Sequence, residues 1–199
     1  MNKRNSPALL ALSLSIASAA AIVIAQVGPL HLRFQYDSGT DPAKPKPAGQ
    51  TLAIGTITDM RNLDDATRVG ECEAVSPTAT PVSSLTPVPE FVKQALDVSL
   101  AKWKVNVSPE VDRVLRTEVL QFWVLEKQRF AANVRFRFVL EDRTGTLLWQ
   151  GEVANDDSTF GRTCNEKNYI QVLSVATQRA LVDLFNNREF RAALASAPK

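Results

Sequence analysis

Residues 116–153 read RTEVLQFWVLEKQRFAANVRFRFVLEDRTGTLLWQGEV, and they decide the fold class of this 199-residue chain. Glu118 to Glu126 is short, rich in β-branched and aromatic residues, and bounded by charge, which favours strand over helix. Strict alternation puts Val119, Trp123 and Leu125 on one face and Leu120, Phe122 and Val124 on the other. A strand wet on one side alternates polar with apolar, so both faces are expected to be covered, or one meets a partner. Phe130 to Arg143 alternates cleanly: Ala132, Val134, Phe136, Phe138 and Leu140 oppose Asn133, Arg135, Arg137 and Glu141. Period 2 marks a half-buried strand. Asp142-Arg143-Thr144-Gly145 gives a tight turn, with Gly145 free to take positive φ. Thr146 to Val153 returns, with Leu147, Trp149 and Val153 inward and Leu148, Gln150 and Glu152 outward. A three-stranded meander needs a helix over its apolar face.

Working outward, Thr51–Thr58 reads as a first strand, ended by Asp59-Met60-Arg61-Asn62. Leu63–Ala74 is polar. Ser76–Pro89 carries Pro77, Pro81, Pro87 and Pro89 among Ser and Thr and reads as an exposed loop. Pro89 fits the first turn of a helix, where its missing N–H costs nothing. Phe91, Ala95, Leu96, Leu100 and Trp103 then recur at helical spacing from about Glu90 to Lys104. Val105–Val111 allows a short strand that Pro109 confines to an edge. Asn155–Asn168 is polar. Asn165 or Asn168 caps a long last helix running to about Asn186, and the tail from Phe190 adds a helical turn. The order implies an α+β fold: a small, mostly antiparallel sheet of four to five strands packed against two helices.

Three segments follow. Residues 1–27 form a signal peptide or membrane anchor, since Lys3 and Arg4 precede the apolar run Ala8–Val27. The run is near the ~20 residues that span a bilayer. Cleavage after Ala25 or Ala19 and retention both fit the pattern, and the leading charges put the rest of the chain outside. Residues 28–50 form a tether, with Pro42, Pro45 and Pro47 stiffening it. Residues 51–199 form the periplasmic domain, held at the inner membrane or released into the periplasm if the signal is cleaved.

A net charge of +2 gives no reason to expect nucleic acid. With one histidine, His31, a His-based triad or a multi-His metal site is excluded. No phosphate-binding Gly-rich loop, nucleophile elbow or cofactor motif is present. Asp64-Asp65 and Asp156-Asp157 lack an ordered ligand spacing and read as solvated turns. Cys72 and Cys164 are the only cysteines. In an exported protein, two cysteines in polar loops favour a disulfide. Phe122, Trp123, Arg135, Arg137 and Trp149 are the candidate partner or ligand surface, with Arg135 and Arg137 also readable as a solvated face.

The layout resembles the YajG-type envelope lipoproteins, and is similar to the auxiliary lipoproteins of ABC-type lipid transport and to the lipopolysaccharide-assembly lipoprotein LptE. The resemblance is carried by Thr56-Ile57-Thr58-Asp59-Met60-Arg61, by Gly70, and by Phe91-Val92-Lys93-Gln94-Ala95-Leu96 with Leu100 and Trp103. Gly145-Thr146-Leu147-Leu148-Trp149-Gln150-Gly151 and the Asn-led last helix complete it. It implies a non-enzymatic envelope domain attached to a membrane and bound to other envelope proteins, with homo-oligomers left open. The apolar run is not followed by a lipidation cysteine, so attachment is expected through Ala8–Val27. The alternative is a lipid- or small-molecule-binding subunit, with Phe122, Trp123, Phe136, Phe138 and Trp149 lining a cleft between sheet and helices.

Overall fold

The computed structural model describes residues 30–32, 51–74 and 79–196. Eight strands and three helices follow in the order β1 (Leu30–Leu32), β2 (Thr51–Asp59), β3 (Arg68–Cys72), β4 (Thr80–Ser84), α1 (Val88–Lys102), β5 (Asn106–Val107), β6 (Val114–Glu126), β7 (Arg129–Glu141), β8 (Leu147–Phe160), α2 (Glu166–Asn186) and α3 (Arg188–Ala195).

The α+β class holds, but the sheet is larger than expected and mixed. β6, β7 and β8 form the antiparallel meander, while β2 and β3 both run parallel to β6 on its other edge. β4 pairs antiparallel with β3, β1 parallel with β4, and β5 parallel with β2. The helices among the described residues number three, where two were expected to pack on the sheet. β3 and β4 lie in stretches whose composition reads as loop. Each is five residues long, and β4 carries a proline. Only Val69 and Val82 give either one a large inward side chain, so alternation has too few positions to register. Pro81 sits on the exposed side of β4, where a missing donor is tolerated. β1 falls within the stretch read as tether. The anchor run Ala8–Val27 lies outside the described residues, and no described helix is long and apolar enough to cross a membrane.

The apparently two-faced strand has a local cause. Between Val119 and Gln121 the pairing of β6 with β7 shifts register. Leu115, Thr117 and Val119 point inward before the shift; Phe122, Val124 and Glu126 point inward after it. One extra residue reverses the phase of a period-2 strand. Leu120, Trp123 and Leu125 therefore share the outer face.

The described helices cover only the inner face. α2 lies across β7 and β8, α1 packs beside it over β2, and α3 closes the end near β8. Phe91 of α1 meets Phe122 of β6 edge-on at 5.4 Å, and Tyr169 of α2 meets Phe130 of β7 at 5.0 Å. Trp149 turns inward against Phe190 of α3 at 5.1 Å. α1 ends where Lys104 takes a φ of 60° and the Val105 amide reaches back to the Leu100 carbonyl at 2.9 Å, a left-handed stop. α2 is capped by Asn165, whose side chain accepts from the Lys167 amide.

β8 continues to Phe160, well past the expected end at Val153. Its inward positions there are polar and are matched by α2. Asn155 donates to Asp183 at 2.7 Å, and Arg179 pairs with Asp157 at 2.9 Å while donating to the Asp156 carbonyl. A polar rim thus continues a strand that hydrophobic patterning ends.

The bulge yields an ordered set of costs in urea unfolding. Gln121→Ala should stay within about 0.5 kcal/mol of the parent, and Phe122→Ala should cost about 3–5 kcal/mol. Deleting Gln121 should cost at least as much as Phe122→Ala, because one half of β6 must turn its faces over. A deletion as mild as Gln121→Ala would rule out the phase shift.

Candidate functional site

The same edge of β6 serves two strands. β2 follows it to Asp59, opposite Val119, and β3 joins from Gly70, opposite Val124. Gly70 permits that join, since a Cβ there would stand 2.3 Å from the Val124 carbonyl oxygen. Between the two strands β6 bulges, and the side chain of Arg61 closes the gap. Its guanidinium donates to the carbonyls of Phe122 (3.2 Å), Arg68 (2.8 Å) and Ala66 (2.7 Å). It also grips both carboxylate oxygens of Asp59, at 2.9 and 2.7 Å. The Arg61 side chain is only 4% exposed. A planar guanidinium with fixed donors suits this role, and a lysine does not. Burial works to raise the Asp59 pKa. The hydrogen bonds and charge of Arg61 outweigh it and hold the carboxyl below its usual range.

Above this plug the loop 60–67 stands off the outer face and leaves two hollows on either side of Trp123. One, of about 260 Å³, is lined by Arg61, Asn62, Leu63, Leu120, Gln121, Phe122 and Trp123. The other, of about 280 Å³, is more polar, with Asp64, Asp65, Arg68 and Glu71 beside Asn62, Leu63 and Trp123. Arg68 lies over the Trp123 ring, 5.7 Å from its centroid, and is steadied by Glu71 at 2.6 Å. Asp65 accepts from the amide and hydroxyl of Thr67, which lowers its pKa. Met60 and Leu63 are exposed on the loop. An aromatic shelf with a cation beside it and apolar rims suits a flat or extended group better than a small ion.

Of the candidate surface, the structure brings Trp123, Arg135 and Arg137 to the outer face. Phe122 is fully buried and Trp149 faces α3, because the bulge and the pleat turn them inward. Arg135 is exposed. Arg137 is held between Glu118 and Glu152, both at 2.8 Å, in a row across β6, β7 and β8. The cleft expected between sheet and helices is filled: Phe122, Phe136 and Phe138 are fully buried in the core. The paired aspartates take separate roles, Asp65 in its turn and Asp157 against Arg179.

A second knot lies at the far end of β6. Cys72 is bonded to Cys164, tying the end of β3 to the loop before α2. Beside the bond, Glu126 is fully buried. One of its oxygens accepts the amides of Thr163 (2.7 Å) and Cys164 (3.0 Å); the other accepts the Tyr169 hydroxyl at 2.8 Å. Burial, then the bond to Glu126 and its charge, raise the Tyr169 pKa far above the ordinary phenol range. Among the described residues, Cys72, Glu126 and Cys164 form the only close cluster of three His, Cys, Asp or Glu donors. Its sulfurs are bonded to each other. Sequence reading passed over Glu126 as a strand boundary and noticed Asp59 and Arg61 only through the motif that ends β2.

No family model matches the chain, and no curated protein matches its sequence. Solved structures do match. A Xanthomonas campestris protein of the DUF330 family superposes with a TM-score of 0.53 at 12% identity, over 78% of this chain and 91% of that one. An uncharacterised protein superposes with a TM-score of 0.50 at 8% identity, over 80% and 97%. A minor lipoprotein from Acinetobacter baumannii reaches 0.38 at 10% identity, over 67% and 91%. At these identities the first two share the fold with this chain.

Two outcomes test the knots. A carboxyl held below its usual range lends stability that is full above the unfolded pKa of about 3.9 and is lost as pH falls through the folded value. Between about pH 4 and pH 2 the wild type should therefore lose stability more steeply than Asp59→Asn, even though the variant is weaker at pH 7. Equal slopes would remove the Asp59–Arg61 pair from the acid response. The disulfide spans a sequence separation of 92 residues, so the Cys72→Ser, Cys164→Ser double variant should lose about 4–5 kcal/mol in the chain-entropy account. Alkylation of both cysteines without reductant would disprove the pairing.

Proposed function

We propose that the chain is a non-enzymatic accessory protein of the cell envelope, facing the periplasm, that binds a partner protein on the open face of its sheet. The observation that carries this reading is Trp123. It is partly exposed on a face that the described helices leave open, between two hollows, with Arg68 over its ring. Tryptophan and arginine are the residues most enriched where protein interfaces concentrate their binding energy. Beside the cleft, Asp59, Glu71 and Asp65 are engaged by Arg61, Arg68 and Thr67, which supports a binding role over a catalytic one. The envelope address is supported by Lys3 and Arg4 ahead of the apolar run and by the lipoprotein resemblance. The apolar run Ala8–Val27 supports attachment to the inner membrane.

The second reading is an auxiliary subunit of an envelope transport system that takes a lipid or small molecule. The mixed lining of the first hollow, with Leu63, Leu120 and Trp123, is what favours it. The filled interior confines any such ligand to the surface.

A photo-crosslinking phenylalanine analogue placed at position 123, and at Lys93 on exposed α1 as control, separates the two in cells. A discrete envelope protein captured from 123 and absent from 93 is the expected result. Arg68→Ala should reduce that capture several-fold while leaving thermal unfolding within a few degrees. No protein adduct at 123, with lipid retained on the purified chain, would replace the first reading with the second. Turnover of a defined substrate by the purified protein would end both.

A further inference from the structure

The start of β1 fixes which end of the domain meets the membrane. Only Gly28 and Pro29 separate Leu30 from the apolar run Ala8–Val27. From Val27 to Leu30 the chain reaches at most about 11 Å. Leu30 pairs with Val82, and β1 runs parallel to β4, so the first residue of β1 lies toward the end of the sheet where β4 begins at Thr80. A continuous row crosses the sheet from Thr80 through Cys72, Glu126 and Phe130 to Thr159.

Just beyond that row the surface changes character. Phe160 ends β8 opposite Arg129 and is 80% exposed, the most exposed large hydrophobic residue among those described. Lys127 and Gln128 form the neighbouring β6–β7 turn, Arg129 begins β7, Arg162 lies between β8 and α2, and Lys167 is in the first turn of α2; all are exposed. The acidic groups at this end are Glu73, 3.0 Å from Lys127, and Glu166, while Glu126 is buried among its donors. Four surface cations thus face two surface acids around a projecting aromatic ring. Aromatic rings settle at the headgroup level of a bilayer, and cations beside them are drawn to anionic lipid.

We infer that this end of the domain lies on the bilayer that holds Ala8–Val27, with Phe160 in the headgroup layer and Arg129 and Arg162 against anionic lipid phosphates. The inference rests on the anchored reading above. On this inference the Pro-rich part of the tether, which follows β1 in the chain, links two strands of the domain instead of spacing it from the membrane. Trp123 sits only a few residues up the sheet, so its hollows open close to the membrane surface, within reach of the periplasmic flank of a membrane protein.

The test uses the full chain in lipid nanodiscs of phosphatidylethanolamine with phosphatidylglycerol. A photo-crosslinking phenylalanine analogue is placed at position 160 or at position 147. Leu147 is 56% exposed and begins the same strand, roughly 40 Å away at 3.3 Å per residue. Lipid adducts at 160 at least fivefold above those at 147 are expected. Arg129→Glu combined with Arg162→Glu, or discs of phosphatidylcholine alone, should cut the yield at 160 several-fold. Equal adducts at 160 and 147 from protein that elutes with the discs would overturn the orientation and leave the anchor standing. An unchanged yield in the charge-reversed variant would remove the arginines from the contact. Protein that elutes apart from the discs would overturn the anchor, and this orientation with it.

Discussion

β6 has two edges and three neighbours, and the twin-bonded pair of Arg61 and Asp59 resolves that excess. β7 takes one edge whole. β2 and β3 divide the other, and the strand between their contacts has carbonyls with no strand to receive. A buried carbonyl without a donor costs about as much as a lost hydrogen bond. Arg61 supplies the donors from a side chain and draws its counter-charge from the last residue of β2. The bulge, the stand-off of loop 60–67 and the hollows around Trp123 all sit on this one substitution of side chain for strand. The open face around Trp123 is therefore the outer side of a repair in the sheet.

Glu126 performs a related task at the other end of β6. A buried carboxylate is tolerated when donors surround it, and here two amides and a phenol do so. Each donor comes from the first turn of α2 or from the segment that leads into it. The main helix is thus indexed to the central strand by charge as well as by packing, and the disulfide lies against the same contact. Regular alternation of apolar residues specifies which face is inside. Polar contacts of this kind specify how far along the strand each neighbour sits.

Much of this was legible in the residues. The meander, the span of β2, the stripe of α1 and the Asn165 cap follow from alternation, helical spacing and capping chemistry. What escaped did so for physical reasons. β3 and β4 are too short, and too poor in large inward side chains, for periodicity to speak. β8 runs past its apolar residues because α2 offers Arg179 and Asp183 to its polar ones. The two faces of β6 looked equally greasy because a single extra residue lets Val119 and Phe122 both point inward. Of the residues read as a candidate surface, Trp123, Arg135 and Arg137 reach the open face, whereas Phe122 and Trp149 are turned inward by that bulge and by the pleat. Arg61 could be seen only as part of a motif, since nothing in a lone arginine announces that it stands in for a strand.

The pairing order of the sheet also dictates a sequence in time. β2 rests on β6, yet β3, β4, α1 and β5 all lie between them in the chain. β1 waits in the same way for β4. A polypeptide threaded through a membrane from its N-terminus delivers β1 and β2 long before the strands that receive them. Long-range parallel pairing is slow for the same reason of loop closure. The early strands must therefore stay unpaired, with sticky backbone edges, until the second half arrives. A chain of this topology that emerges N-terminus first depends on protection of those strands, by holding factors or by the speed of emergence itself.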